Sequence, residues 1–398
     1  MSKFVFHTIV AKNYFGYARA WAKNVKKVYP DSPVYIFVAD EFEGLINPAE
    51  ESVPVIQCCD IGMEDFDYMK FIYEVTEFAT SVKPFCISWL YDKHPGHVVV
   101  YMDSDTFVLT KMAELEEHFD KGADAVFTPH ICEPLDDGFW PSEYSFLTAG
   151  IYNMGFGAFA DKPEVRKFIK WWESKLAQHC VWALDKGIHV DQKWMDYATA
   201  FLEHAKVLRH PGYNIAYWNL PHRNIELKDG EWLSNSLPVR FVHVSGNDLR
   251  DKNNLSKHQN RYTRADLKDI NQLIEVYQKN AIEAGQLETI TWPYTFFKGR
   301  YFENIPFYLR MYFRERNDRF SMRGKDVEAY AYEYFMGKDD SLEDFGLDGM
   351  NRMALAYYSV REDLKTAFDL TTMQGQEKYL AWLKSNDIDL FYISGDRK

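Results

Sequence analysis

The feature that most constrains this chain is the alternation of its first hundred residues. Phe4–Val10 is a short β-rich run, after which Tyr14, Ala18, Trp21, Val25 and Val28 recur at helical spacing until Pro30-Asp31-Ser32-Pro33 breaks the pattern. Val34–Ala39 predicts a second buried strand. Phe71, Val75, Phe78 and Val82 mark another helix, punctuated by Pro84, which can itself open a following helix to Tyr91. Past the Pro95-Gly96 turn, His97–Met102 is a Val-rich strand. This β-α-β-α-β order implies a mostly parallel sheet with helices on its faces, because parallel neighbours need long crossovers. Ligands of such sheets bind at the carboxyl ends of the strands, so the residues just after each strand are the ones to read for function.

Further along, Glu164–Trp182 and Asp191–Leu202 predict helices and Val239–Val244 a late strand. Beyond about Arg264 the alternation stops, and Leu267–Ala284, Val327–Met336, Met350–Phe368 and Gln376–Leu383 all predict helices. The expected division is an α/β domain over 1–263 and a mainly α-helical extension over 264–398, in keeping with a chain of 398 residues.

A formal net charge of −13 argues against a nucleic-acid-binding chain, since neutralising phosphates takes a basic field. The five cysteines are odd in number and show no CxxC spacing, so neither a zinc site nor a disulfide framework is expected. The chain begins directly as a strand, with no basic segment followed by an apolar one. Together these features place the expected site of action in the cytoplasm.

The chemistry concentrates in Val98-Val99-Val100-Tyr101-Met102-Asp103-Ser104-Asp105. Two carboxylates, two residues apart, follow an all-apolar strand where a parallel sheet opens. Carboxylate oxygens suit Mg²⁺ or Mn²⁺, ions that leave positions for substrate phosphates. An Asp-x-Asp by itself is as easily a solvated turn. Phe241-Val242-His243-Val244-Ser245-Gly246 ends a second strand with an imidazole, a candidate third ligand, and a Gly that allows backbone approach to a phosphate. Asn153-Met154-Gly155 lies on a Gly-broken strand that offers an amide to a hydroxylated ligand. Asp191-Gln192 opens a predicted helix, where an Asp is equally a candidate N-cap.

In their order these segments resemble GT-A fold glycosyltransferases. They are similar to the retaining branch containing glycosyltransferase family 8, to which glycogenin and bacterial lipopolysaccharide galactosyltransferases belong. Pro211–Leu220 and Leu255–Tyr262 add to the resemblance, which covers roughly residues 3–262. It implies a metal-dependent transfer of sugar from a nucleoside diphosphate sugar, a UDP-sugar above all, to a glycan or lipid-linked saccharide acceptor, with retention. Asp103, Asp105 and His243 would hold Mn²⁺ or Mg²⁺. Thr8 and Tyr14 would lie in the uridine-contacting region, Asp103 and Asp105 would also contact the donor ribose, and Ser104 would belong to the donor-binding set. Lys83 resembles the basic residue that meets donor phosphate or sugar, with an ordinary exposed lysine as the alternative. Asn153 and Gly155 would border the donor sugar. Asp191 and Gln192 would be the catalytic residues, Asp191 bonding the sugar and Gln192 assisting the anomeric carbon from its β-face. Gly246 and Lys257 would meet the diphosphate. Lys257 departs from the family pattern, because it stands far downstream of His243 and is followed by His258 rather than Pro-Trp. Arg250 and Lys252 are the alternatives.

Three competing expectations need stating. Gly155-Phe156-Gly157-Ala158-Phe159-Ala160 matches a dinucleotide-binding fingerprint, G-x-G-x-x-A, but sits mid-chain. A non-catalytic nucleotide-sugar or glycan-binding protein of the same fold is the rival function. Finally, Thr295–Phe320 is rich in both aromatics and basic residues. It suits either a peripheral contact at the inner face of a membrane or, preferably, an aromatic face packed inward with arginine stems on a core.

Overall fold

The computed structural model describes residues 3–251, 253–302, 304–316, 319–336, 350 and 352–386. In chain order its principal strands are β1 (Phe4–Val10), β2 (Val34–Val38), β3 (Val55–Gln57), β4 (Val98–Met102), β5 (Thr106–Val108), β6 (Ala125–Pro129) and β7 (Tyr152–Phe159). Helix α1 (Phe15–Val28) crosses between β1 and β2. A seven-stranded sheet runs in the order Ala205–Val207, β6, β7, β4, β1, β2, β3. β7 alone is antiparallel to its neighbours, and the remaining pairings are parallel. The expected mixed α/β fold with helices flanking a mostly parallel sheet is the one observed.

The sheet is buried on both faces. All seven residues of β1 and all five of β4 are buried, as expected of parallel strands covered by crossover helices. On one face Phe4, Phe6, Val100, Met102 and Phe156 pack with Trp21 and Val25 of α1 and with Phe241. Gly157 lies inside β7, opposite Tyr101 and Phe127, so the fingerprint-like glycines are strand residues and not a phosphate-binding turn.

Contacts divide the chain into two compact units. One comprises 1–63 and 75–295; the other comprises 64–74 and 296–398. This division falls elsewhere than the expected 263/264 boundary. The helix Lys268–Glu283 belongs to the first unit, where Ile270, Leu273, Ile274 and Tyr277 pack with Tyr17, Phe107 and Val242. Within the second unit, Met350, Ala354, Leu364, Tyr379 and Leu383 form a core. Arg310, 1% exposed, donates to the carbonyls of Phe71 (2.7 Å), Tyr73 (2.6 Å) and Phe296 (2.7 Å).

That arginine explains one departure from the predicted elements. The expected helix through Phe71 and Val82 is two helices, Phe66–Ile72 and Val75–Ser81, broken at an extended Tyr73. Arg310 satisfies the carbonyls that the break leaves without helical partners. Likewise the expected Met350–Phe368 helix is two, Arg352–Ser359 and Glu362–Ala367. The predicted Asp191–Leu202 helix is a 3₁₀ turn, Lys193–Tyr197, followed by one α-turn. A three-stranded antiparallel meander, Ile225–Lys228, Glu231–Ser234 and Leu237–Pro238, was not anticipated. Its turns place Asp229-Gly230 and Asn235-Ser236 at positive φ, the hairpin chemistry that an Asp-Gly pair announces. Among the described residues no helix is long and apolar enough to cross a membrane.

Candidate active site

Asp103, Ser104 and Asp105 form the turn between β4 and β5, at the carboxyl end of the sheet. β5 then pairs antiparallel with the strand Phe241–His243, placing His243 opposite Thr106, and Val244 donates its N–H to the Asp105 carbonyl at 2.9 Å. Backbone pairing therefore sets the imidazole beside the carboxylates. His243 Nε2 lies 3.0 Å from Asp105 Oδ1 and 3.7 Å from Asp103 Oδ2, and one ligand atom from each residue falls within 4.8 Å of the others. The three predicted metal ligands converge.

The donor set fits a divalent cation. His243 Nδ1 faces Asn214 Oδ1 at 3.1 Å. Because that oxygen can only accept, Nδ1 carries a proton, and Nε2 is left to face the two carboxylates: it donates to Asp105 here and, once deprotonated, would offer its lone pair to a cation. Burial raises the Asp105 carboxyl, but His243 beside it holds it below its ordinary value. Burial likewise depresses the imidazole, and Asp105 with Asp103 more than reverses this, raising it. Two carboxylates and one oriented imidazole make a hard, oxygen-rich set suited to Mn²⁺ or Mg²⁺.

Asn214 is held at φ 51°, fully buried, and donates to Thr128 Oγ1 (2.8 Å) and Asn153 Oδ1 (3.0 Å). Asn153 is thus engaged within the protein: its Oδ1 also accepts from Gly155 N, and its Nδ2 meets His130 Nε2 at 3.3 Å. Gly155 serves the triad twice. Its carbonyl accepts the Asp103 N–H at 2.9 Å, and a Cβ there would overlap the His243 ring, 2.7 Å from Nδ1.

Lys83 is buried, not an ordinary exposed lysine. It begins the helix Lys83–Lys93, with Pro84 in its first turn as predicted. Its Nζ lies 2.7 Å from Asp191 Oδ2 and 4.0 Å from Asp103 Oδ1, and it donates to the Met154 carbonyl at 3.1 Å. Asp191 accordingly pairs with a lysine and does not cap a helix. Burial raises its carboxyl in spite of that lysine. Gln192 spans the strand beside it, accepting from Met154 N at 2.9 Å and donating to the Ala149 carbonyl at 3.0 Å.

A cavity of about 330 Å³ adjoins the triad, with Tyr14, Asp105, Gly246, Arg250, Lys257 and His258 among its walls. Lys257 reaches it although it is distant from His243 in sequence, because its N–H binds the Gly246 carbonyl at 3.0 Å. Gly246 sits at φ 70°, and a side chain there would collide with His258 and approach Ser256 Oγ to 2.6 Å. Arg250, the alternative to Lys257, lines the same cavity; Lys252 lies outside the described residues. Lys83, Asp103, Ser104, Asn153 and Gly155 are not among its walls. Nor is Thr8, whose hydroxyl is buried in β1 without a partner. A larger hollow of about 780 Å³ opens at the other end of the sheet, around Lys3, Phe4 and His97.

Several residues at the site escaped sequence analysis. Tyr101 donates its hydroxyl to Asp103, and Lys83 Nζ lies 4.4 Å over its ring. Trp218 packs edge-on against His243 at 5.2 Å between ring centres. Tyr101 directly precedes the acidic turn, and Asn214 and Trp218 fall in the segment 211–220 that carried part of the resemblance. No spacing rule marks any of them.

No protein-family profile matches the chain. The uncharacterized protein YfnD of Bacillus subtilis (strain 168) is 22% identical over 253 residues, spanning 62% of this chain and 78% of YfnD. Among solved structures, the galactosyltransferase LgtC, in complex with donor and acceptor sugar analogs, is similar over 70% of this chain and 95% of its own, at 13% identity and a TM-score of 0.42. The glycosyltransferase GlyE of Streptococcus pneumoniae TIGR4 is similar over 74% and 66%, at 15% identity and TM-score 0.41. A glycosyltransferase involved in glycosylation of the major capsid of PBCV-1 is similar over 60% and 92%, at 14% identity and TM-score 0.37.

Proposed function

We propose that this protein is a glycosyltransferase that moves a sugar from a nucleoside diphosphate sugar, most simply a UDP-sugar, to a glycan or lipid-linked saccharide acceptor. The observation that carries this reading is the convergence of Asp103, Asp105 and His243 beside a cavity whose mixed polar and aromatic walls include Asp105, Tyr14 and Lys257. Asp103, Asp105 and His243 would hold Mn²⁺ or Mg²⁺, and such an ion, when bound, supplies charge neutralisation to a departing diphosphate.

The chain's own residues account for the rest. Lys257 and Arg250 bring positive charge to the cavity, and Gly246 leaves its backbone open to phosphate oxygens. Tyr14 offers a ring to the nucleoside base. Lys83 balances Asp191 and reaches toward Asp103, so the acidic turn keeps one orientation through the reaction. Charge-matched groups held in place before the reaction supply the largest part of such catalysis. Asp191 and Gln192 stand on the sugar side. Asp191 is neutralised by Lys83 and buried, which suits orientation more than proton removal. Among the described residues, Asp191 is paired with Lys83 and Asp248, in the cavity wall, with Arg250, so neither stands as a free carboxylate base; this favours retention, with the leaving phosphate receiving the acceptor's proton. The protein would act in the cytoplasm.

A thermal-shift panel of nucleotide sugars with Mn²⁺, repeated on Asp105→Ala, tests the assignment. One donor should raise the melting temperature of the native chain and not of the variant. Absence of a shift with every donor overturns it. Release of nucleoside diphosphate from the shifting donor distinguishes an enzyme from a binding protein.

A further inference from the structure

The segment between β6 and β7 carries unusual surface chemistry. Phe139 is 47% exposed, Trp140 49% and Tyr144 81%, in a protein that otherwise buries most of its large rings. Single exposed rings are ordinary on a protein surface, but neighbouring ones in sequence, as at Phe139-Trp140, form the contiguous apolar surface that marks a ligand or partner. These rings are not on a loose loop. Asp137 accepts a two-pronged ion pair from Arg261, Nε at 2.5 Å and Nη2 at 2.9 Å, and Arg261 Nη2 also donates to the Pro141 carbonyl at 3.0 Å. The Arg261 side chain is only 3% exposed, and its guanidinium lies 6.0 Å from the Phe139 ring centre. Trp140 donates its N–H to Asn260 Oδ1 at 2.7 Å, and its carbonyl accepts from Asn260 N at 3.1 Å.

The clamp ties the rings to the candidate site. Asn260 and Arg261 follow Lys257 and His258, which line the cavity beside Asp105, with only Gln259 between. The two ends of the segment are anchored there as well. His130, just after β6, meets Asn153 and packs against Trp218, which in turn packs on His243. Ala149, before β7, receives the Gln192 amide. An ordered pair of exposed rings is thus fixed at both ends and at its tip to residues that neighbour the triad and the cavity. Arg261 offsets Asp137 and the neighbouring Asp136 is exposed, so the surface carries no cationic excess and suits a neutral, hydroxylated ligand better than an anion.

We propose that Phe139 and Trp140 form a stacking platform for a pyranose ring of the acceptor saccharide, with Trp140 as the principal contact. This rests on the glycosyl-transfer assignment and extends it by giving the saccharide acceptor a subsite. The apolar face of a pyranose covers an indole ring, while its hydroxyls stay available to the polar rim around Asn260.

Saturation-transfer NMR on the full chain, with UDP and Mn²⁺ present, is the test, using a panel of methyl hexopyranosides as probes. At least one pyranoside should show transfer to its ring protons. Trp140→Ala should weaken that binding by about tenfold, the loss expected on removing one stacking ring, while Trp140→Phe retains most of it. The melting temperature and the UDP–Mn²⁺ shift should be unchanged in both variants, which rules out simple misfolding. Equal transfer in Trp140→Ala and native protein overturns the platform, as does absence of transfer from every pyranoside while UDP and Mn²⁺ still bind. Loss of the UDP–Mn²⁺ response in the native chain would instead sink the assignment beneath it.

Discussion

His243 occupies the space that a side chain at Gly155 would fill: a Cβ at that position of β7 would overlap the imidazole. Gly155→Ala therefore has to push the ring off the strand or bend the strand away. We expect the variant to fold, at a cost of about 1–3 kcal/mol for overpacking, and to lose its thermal response to Mn²⁺. Paired melting curves with and without the ion check this. A full Mn²⁺ response in the variant would show that the imidazole has no part in ion binding.

Asn214 governs the same ring through its Nδ1. Asn214→Ala removes the acceptor for Nδ1–H and leaves the imidazole free to change tautomer and tilt. Loss of such a supporting partner typically lowers metal affinity by about 10–100-fold. Titration with Mn²⁺ by calorimetry should show that weakening, with a stoichiometry unchanged from the native chain.

Lys83 and Asp191 are both nearly inaccessible, so neither tolerates losing the other. Lys83→Met should destabilise the protein by about 3–5 kcal/mol, because a buried carboxylate is left without its counter-charge. Adding Asp191→Asn should restore part of that stability. Chemical denaturation of the single and double variants measures the difference. If the double variant were less stable than Lys83→Met, the pair would not be the reason for the loss.

Glu114 gives a pH signature away from the triad. Burial works to raise its carboxyl, but Arg240, at 2.7 and 3.0 Å, and the Tyr213 hydroxyl at 3.0 Å outweigh this and bring it down to about 2. The folded chain thus holds a proton on Glu114 less readily than the unfolded chain. Its stabilising contribution is complete above the ordinary carboxylate range and is lost as pH falls from about 4.5 toward 2. Glu114→Gln should cost about 1 kcal/mol at neutral pH, discounted for the group's partial exposure, and progressively less toward pH 2. Melting temperatures across that range provide the check.

The basic, aromatic stretch from 295 to 320 should not hold the protein on a membrane. Arg310 is buried on backbone carbonyls, and Arg314 donates to the Ile72 carbonyl at 2.6 Å, so two of its cations are spent within the second unit. Flotation with vesicles containing anionic lipid should leave the protein in the dense fraction. Recovery with the vesicles would revive a peripheral contact.

Much of the fold was legible because it follows from short-range chemistry. The apolar runs at 4–10, 34–38 and 98–102, separated by a helical spacing, leave little choice but parallel strands with helical crossovers. Val327–Met336 was predicted to the residue, and the breaks at Pro30–Pro33 and Pro84 fall where proline places them. The helices at 71–82 and 191–202 were misjudged because distant groups decide them. Arg310, far along the chain, makes an interruption at Tyr73 affordable, and Lys83 draws Asp191 away from a capping role.

The acidic turn, the histidine strand and the glycines near 155 and 246 were all visible as one-dimensional features, since each occupies a strand end or a strand that local composition marks. Their meeting was not visible. The sequence by itself determined the sheet class and the supply of carboxylates and imidazole. Only the tertiary structure decided that β5 and the strand Phe241–His243 pair in register, that Asn214 sets the tautomer, and that Lys257 crosses to Gly246. Those outcomes depend on hydrogen bonds and packing between residues far apart in the chain, and local propensity carries no information about them.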